Sequence, residues 1–198
     1  MKELQFPIQF KFKVTTFSND FVATDALGNS VAYVKQKMFK LKEDISVFDD
    51  ESQTSLAYKI KADRWLDFSA AYSFFDNNGS EIGKIVRKGW RSIWKAEYHL
   101  IDQFGKSQYT ISEENGFVKV MDSILGSVPL ICIFTGYFFN PSYIVKDSKG
   151  YEIVRLTKEA SFLGRHFQLN KVGAMDNDDD DRIMLGLMMM ILLERSRG

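Results

Sequence analysis

The chain reads as a mostly β protein (α+β by strict count), a closed antiparallel barrel of about a dozen strands around one buried C-terminal helix. Three observations predict this. A strand-turn-strand pattern recurs five times along the sequence. The strand number it implies is more than an open twisted sheet holds without curling or splitting. One stretch near the C-terminus is apolar on every side, so it has to be surrounded.

The first residues alternate, with Leu4, Phe6, Ile8, Phe10, Phe12 and Val14 set against Gln5, Pro7, Gln9, Lys11 and Lys13. Period-two alternation is a half-buried strand, not the continuous apolar run of a signal peptide, and a cytoplasmic location is expected. Five hairpins follow. They are Phe21–Gly28 into Val31–Val34, Ile45–Asp49 into Leu56–Ile60, Tyr72–Gly79 into Ile82–Val86, Tyr98–Gly105 into Gln108–Ile111, and Tyr143–Gly150 into Glu152–Leu156. An aspartate opens each turn because its carboxylate accepts from amides just ahead of it, and a glycine closes most of them where a positive φ is required. A last strand pair is expected around His166 to Leu169.

The rhythm breaks once. Asp102 and Asp147 lie 45 residues apart, where neighbouring turn aspartates are separated by 24 to 27. Within this insertion Val118, Met121, Ile124 and Leu125 have helical spacing, with Gly126 and Pro129 behind them. A short helix is expected at about 117–125, then a buried strand at Leu130–Phe134.

The stretch from Ile183 to Leu193 carries no polar side chain. Its eleven residues make about 16 Å of helix, short of the roughly 20 residues that cross a bilayer. A barrel of a dozen strands has a lumen too wide for its own side chains to fill, so it needs water, ligand or a plug. The plug is this helix, with Ile183, Leu185, Leu187, Met188, Ile191 and Leu192 as its structural residues. Its ten large apolar side chains bury on the order of 15 to 30 kcal/mol gross. Withdrawing it would unfold the barrel.

Composition sets outer bounds. With 198 residues, 45% of them hydrophobic, seventeen Phe and three Pro, the chain has ample core material for one barrel. A single domain over 1–198 is expected. The lone cysteine, Cys132, leaves no disulfide framework and fits a reducing compartment. Lys plus Arg equals Asp plus Glu at 26 each. No bulk charge therefore drives nucleic-acid binding.

Certain pieces, in their order, resemble a known family. They are Val34-Lys-Gln-Lys-Met-Phe39 leading into Ile45-Ser-Val-Phe-Asp49, Ile82-Gly-Lys-Ile-Val-Arg-Lys88 before Tyr98, Leu125-Gly126 through Asn140-Pro-Ser-Tyr143, and a C-terminal helix after an acidic loop. The chain looks like a LURP-one-related protein of the tubby C-terminal-like superfamily, which also includes the phospholipid scramblases. The resemblance covers nearly the whole chain. It implies a twelve-stranded closed antiparallel barrel with the C-terminal helix threaded through it. Tubby-like domains bind phosphoinositides and scramblases act at phospholipid membranes. The cysteine clusters and proline-rich leader of scramblases are missing here.

Basic residues gather after the second strand of a hairpin, at Lys35, Lys37, Lys40 and Lys42, at Lys84, Arg87, Lys88, Arg91 and Lys95, and at Arg155, Lys158 and Arg165. Acidic residues gather in the turns. An up-and-down barrel puts hairpin turns at one end and connectors at the other, so the neutral total hides a basic pole. Lys35, Lys37, Arg87, Lys88 and Arg91, with Trp90 at headgroup depth, are the candidate residues for an anionic lipid surface. The alternative is a solvated rim with the tryptophans packed inward.

Asp176 and Asp178 to Asp181 form an acidic run before the plug helix. It reads either as a weak cation site without the glycine and distant Glu of an EF-hand, or as a solvated loop whose last carboxylates favour the helix N-terminus. His99 and His166 lack any companion motif of catalysis or zinc binding, and Cys132 sits in an apolar run. The expectation is a non-enzymatic monomeric binding module with no cofactor, no metal and no nucleic-acid partner, located in the cytoplasm or peripheral to a membrane, with anionic phospholipid or phosphoinositide as ligand. A scramblase-like membrane protein with a weak divalent-cation site and a protein-interaction scaffold are the alternatives.

Overall fold

The computed structural model describes residues 4–13, 19–36, 44–63, 71–88, 97–114, 142–159, 166–175 and 177–196. Twelve strands precede one helix among them. They are β1 (Ile8–Phe12), β2 (Phe21–Thr24), β3 (Ser30–Gln36), β4 (Asp44–Phe48), β5 (Leu56–Ala62), β6 (Ala71–Asp76), β7 (Glu81–Lys88), β8 (Glu97–Asp102), β9 (Ser107–Glu113), β10 (Ser142–Asp147), β11 (Glu152–Glu159) and β12 (His166–Lys171). The helix is α1 (Asn177–Ser196). Every strand pairs antiparallel with its chain neighbours, and β1 joins β12 through Ile8 opposite Leu169, which closes the ring. The predicted mostly β, twelve-stranded closed barrel with a C-terminal helix is the observed architecture.

Four of the five hairpin turns are built alike, and the reason is chemical. In each, the aspartate takes the i+2 and i+4 amides on one carboxylate oxygen at 2.8 to 2.9 Å. Its carbonyl accepts from the glycine amide three residues on, at Gly28, Gly79, Gly105 and Gly150. Those glycines have φ between 82° and 87°, a region that costs an L side chain strain. A register shift beside each turn marks the glycine bulge that goes with a three-residue loop.

The Asp49 turn departs from this. Asp49 closes on Ser55, Asp50 takes the Ser52 amide at 2.8 Å, and Gln53 holds the left-handed position with φ 57°. The longer loop folds back over the outer wall, where Gln53 accepts from the Lys35 ammonium at 3.0 Å and Glu51 pairs with Lys13.

Inside, α1 lies off-centre. It approaches β7 and β8 most closely. A Cβ on Gly186 would stand 2.6 Å from a Leu100 methyl on β8, and one on Gly83 would stand 2.8 Å from Arg182 Cδ. Glycine on the near side lets the helix come close. The wall across the ring is β1, β2 and β12, and there the wider gap is filled by the buried rings of Phe10, Phe12, Phe21 and Phe167. Phe10 and Phe12 each meet Phe21 edge to face, with centroids 5.9 and 5.2 Å apart. Outward positions such as Lys11, Lys59, Lys61 and Lys146 are polar, the reverse of a lipid-facing belt.

Several expectations shift in detail. The first strand begins at Ile8, not Leu4. Pro7 has no amide to give the ladder, and Leu4 and Phe6 pack half-buried against the core. The last pair is one strand, β12, which serves both β11 and β1. The helix starts at Asn177, so the acidic run from Asp178 is its first turn, not a loop before it. The helix expected at 117–125, the strand at 130–134 and Cys132 lie outside the described residues.

Candidate functional site

The up-and-down order gives the barrel two unlike ends. The five hairpin turns, the end of β12 and the start of α1 share one, the turn end. The other, the connector end, holds the remaining strand ends, those that flank residues 14–18, 37–43, 64–70, 89–96, 115–141 and 160–165 in sequence.

At the turn end the first turn of α1 is fastened into the mouth by side chains. Tyr109, on the inner face of β9, donates to Asp179 at 2.6 Å, and Tyr58 of β5 donates to Asp181. Arg182 pairs with Asp179 and reaches the Ile82 carbonyl at 3.5 Å. Asp179 is buried yet satisfied. Burial, and then its bond to the Asp181 carboxylate, pushes the Tyr58 hydroxyl well above its usual range. Asp180 has one oxygen with no partner and a pKa raised first by burial, then by its neighbours Asp181 and Asp179, with Lys171 pulling the other way. This mouth is closed by the chain itself.

The described residues near the connector end mix signs. Alternation along β7 sends Ile85 and Arg87 to the inner face, and Arg87 stands opposite Tyr98 of β8, whose ring is in the core. On the same face Glu113 of β9 is buried opposite Tyr143, and Lys158 of β11 stands opposite Phe167. Nearby on the outer wall, the buried Tyr33 hydroxyl donates to buried Asp20 at 2.8 Å, and the Lys13 ammonium lies 5.6 Å from the Tyr33 ring centroid. Burial and that carboxylate hold the Tyr33 hydroxyl high.

Residues 30–124, just under half of the chain, match the family model described as LURP-one-related. Over that stretch the chain is similar to the LURP-one-related family. No curated protein and no solved structure matches it. The matched stretch runs from β3 through β9 and takes in the Lys35, Arg87 and Lys88 positions.

The structure distributes the candidate residues over different surfaces. Lys35 is on the outer face of β3 and its ammonium is held by Gln53. Arg87 faces inward on β7, four strands round the ring from β3. Lys88 ends β7 opposite Glu97. Lys37, Trp90 and Arg91 lie outside the described residues. Of the other basic positions, Arg155 is engaged by both Glu152 oxygens, at 2.8 and 3.1 Å, and by Glu114 at 2.5 Å. The plug residues Ile183, Leu185, Leu187, Met188, Ile191 and Leu192 are all buried, at 1% exposure or less.

His99 is satisfied from both sides, by Ser107 at 3.1 Å and Glu97 at 2.9 Å. Among the described residues no group of three or more His, Cys, Asp or Glu is placed to hold a metal ion. The fastening by Tyr58 and Tyr109 is not visible in the strand pattern. A tyrosine at a core position looks like any core aromatic, but a buried hydroxyl needs a partner, and the acidic run supplies it.

Proposed function

We propose that this LURP-one-related barrel is a non-enzymatic binding module of the tubby-like type that docks its connector end on anionic phospholipid. One observation carries the reading. The strand ends away from the hairpins share one pole, and the six stretches of sequence between them hold all three tryptophans, Trp65, Trp90 and Trp94, with Lys37, Lys40, Lys42, Arg64, Arg91, Lys95, Lys119 and Arg165 against only Glu43, Asp67 and Asp122. Lys88, at the end of β7, adjoins them. Tryptophan with basic residues is the composition of a surface that settles at headgroup depth. Along its buried span α1 occupies the lumen, which favours a ligand met from outside. Among the described residues no helix is long and apolar enough to cross a membrane, which fits docking on a bilayer without a spanning helix.

Co-sedimentation with phosphatidylcholine vesicles, alone or containing phosphatidylserine or a phosphoinositide, tests this. Binding is expected to need the anionic lipid and to weaken with salt. Each basic residue near the surface contributes about 1 kcal/mol, so Lys88→Glu with Arg91→Glu should weaken it more than tenfold. Equal binding to neutral vesicles, or none at low salt, sinks the reading. A calcium requirement would instead favour a scramblase-like activity.

A further inference from the structure

Among the described residues four large apolar side chains stand in solvent, namely Leu27 at 76% exposure, Phe104 at 85%, Tyr151 and Val172. All four are at the turn end. Isolated exposed apolar residues are ordinary, but a set on one surface signals contact. The repeated turn provides its own control. Leu27, Asn78, Phe104 and Lys149 occupy the same position of the same turn, each donating its amide at 2.9 Å to the opening aspartate. Asn and Lys do this as well as Leu and Phe, so the turn itself does not call for an apolar side chain.

Position around the ring is the second observation. The turns bearing Phe104 and Tyr151, the end of β12 with Val172 and the turn bearing Leu27 follow one another round half of the rim, with β1 between the last two. Successive hairpins are about 10 to 13 Å apart at barrel tilt, within reach of one short helix or extended segment. The facing half is made of the Asp49 and Asp76 turns. Its turns carry Asp49, Asp50, Glu51, Asp76 and Glu81 and no Lys or Arg of their own, although Lys13 pairs with Glu51, Lys35 reaches Gln53 and Arg182 reaches the Ile82 carbonyl, and Asp180 stands at the mouth between the halves.

We infer that the turn end is a docking surface for an amphipathic cationic segment of a partner protein. Its apolar side chains lie on Leu27, Phe104, Tyr151 and Val172, and its Lys or Arg side chains reach over the acidic half of the rim. Anionic lipid is the wrong occupant, because those carboxylates repel it. The surface is independent of the connector end, so a failure here leaves the phospholipid reading standing.

The test is an amide NMR titration of the full chain with a synthetic peptide of Lys, Leu and Trp in helical amphipathic order, beside a scrambled peptide of the same composition. Shifts are expected at residues 25–29, 102–106, 147–152 and 172. Leu27→Asn with Phe104→Asn places the residue already found at position 78, so both turns should keep their spectra while the peptide binds at least tenfold more weakly. Equal affinity of the double variant, equal affinity for the scrambled peptide, or shifts confined to other surfaces overturns the inference. Self-association of the wild type that the double variant abolishes overturns it in favour of a second copy. Broadening of the same amides by phosphatidylcholine vesicles overturns it in favour of lipid.

Discussion

From Ile183 to Leu192 every residue of α1 is buried and no side chain there forms hydrogen bonds, whereas the turn just before sets Asp179, Asp181 and Arg182 among hydroxyls, a carbonyl and one another. The apolar span is held by area and fit, which are non-directional. That physics limits how far the helix slides along the lumen only through steric fit, as at Gly186 against Leu100. The polar turn is held by a few directed bonds at the mouth, which add less energy but define depth and rotation. Stability and register thus reside on neighbouring parts of one helix, and they can be broken separately.

The largest effect should come from ending the chain before Ile183. Nine large side chains between Ile183 and Leu192 are buried, worth about 14 to 27 kcal/mol gross. That exceeds the ~5 to 15 kcal/mol by which domains are usually stable. The truncated chain should lose near-ultraviolet circular dichroism and cooperative unfolding, and a soluble, cooperatively melting product would refute the plug.

Next is Tyr109→Phe, which keeps the ring and removes its hydroxyl from Asp179. A hydrogen bond to a buried charge contributes about 1.5 to 3 kcal/mol. Urea unfolding should show a loss in that range, larger than for Tyr58→Phe because Asp181 is less buried than Asp179. If both changes are neutral, the polar turn is ornamental.

Gly186→Ala sets two effects against each other. Alanine gains about 1 kcal/mol of helix propensity, but the new methyl meets Leu100 on β8 at 2.6 Å, and overpacking costs about 1 to 3 kcal/mol. A net loss near 1 kcal/mol is expected by the same denaturation. Adding Leu100→Ala should make the glycine replacement favourable, a coupling visible in a double-mutant cycle. Stabilisation by Gly186→Ala alone would contradict the close approach.

Local chemistry explains which parts of this were legible beforehand. The Asp-x-x-Gly turns were, because every bond in them lies within five residues. The helix burial was, because a segment without a polar face has few alternatives. The helix start was not. Aspartate is a poor helix former, and only the nonlocal partners Tyr58, Tyr109 and Ile82 make a run of them a helical turn. Closure through β1 and β12 joins Ile8 to Leu169, a pairing no local pattern encodes. The basic pole read from sequence included Arg87, which strand alternation turns to the inner face opposite Tyr98, and it treated Arg155 as available when Glu152 and Glu114 engage it.

The smallest expected effect is at Asp180, where burial and the helix N-terminus compete. The helix dipole favours a carboxylate there by about 0.3 to 1 kcal/mol. Burial disfavours the charge and raises the pKa, with Asp181 and Asp179 adding to it and Lys171 opposing. A carboxyl whose folded pKa lies above its ordinary value of 3.8 reduces stability at neutral pH, and that penalty fades as pH falls through the raised value towards the ordinary one. Asp180→Asn should therefore raise the urea midpoint slightly at pH 7, by well under 1 kcal/mol because the dipole contribution is lost with the charge. The gain should shrink steadily on acidification. A variant less stable than the parent at pH 7, or a gain that grows towards acid, would mean that the helix end dominates and that Asp180 belongs with Asp179 and Asp181 among the groups that hold the plug in place.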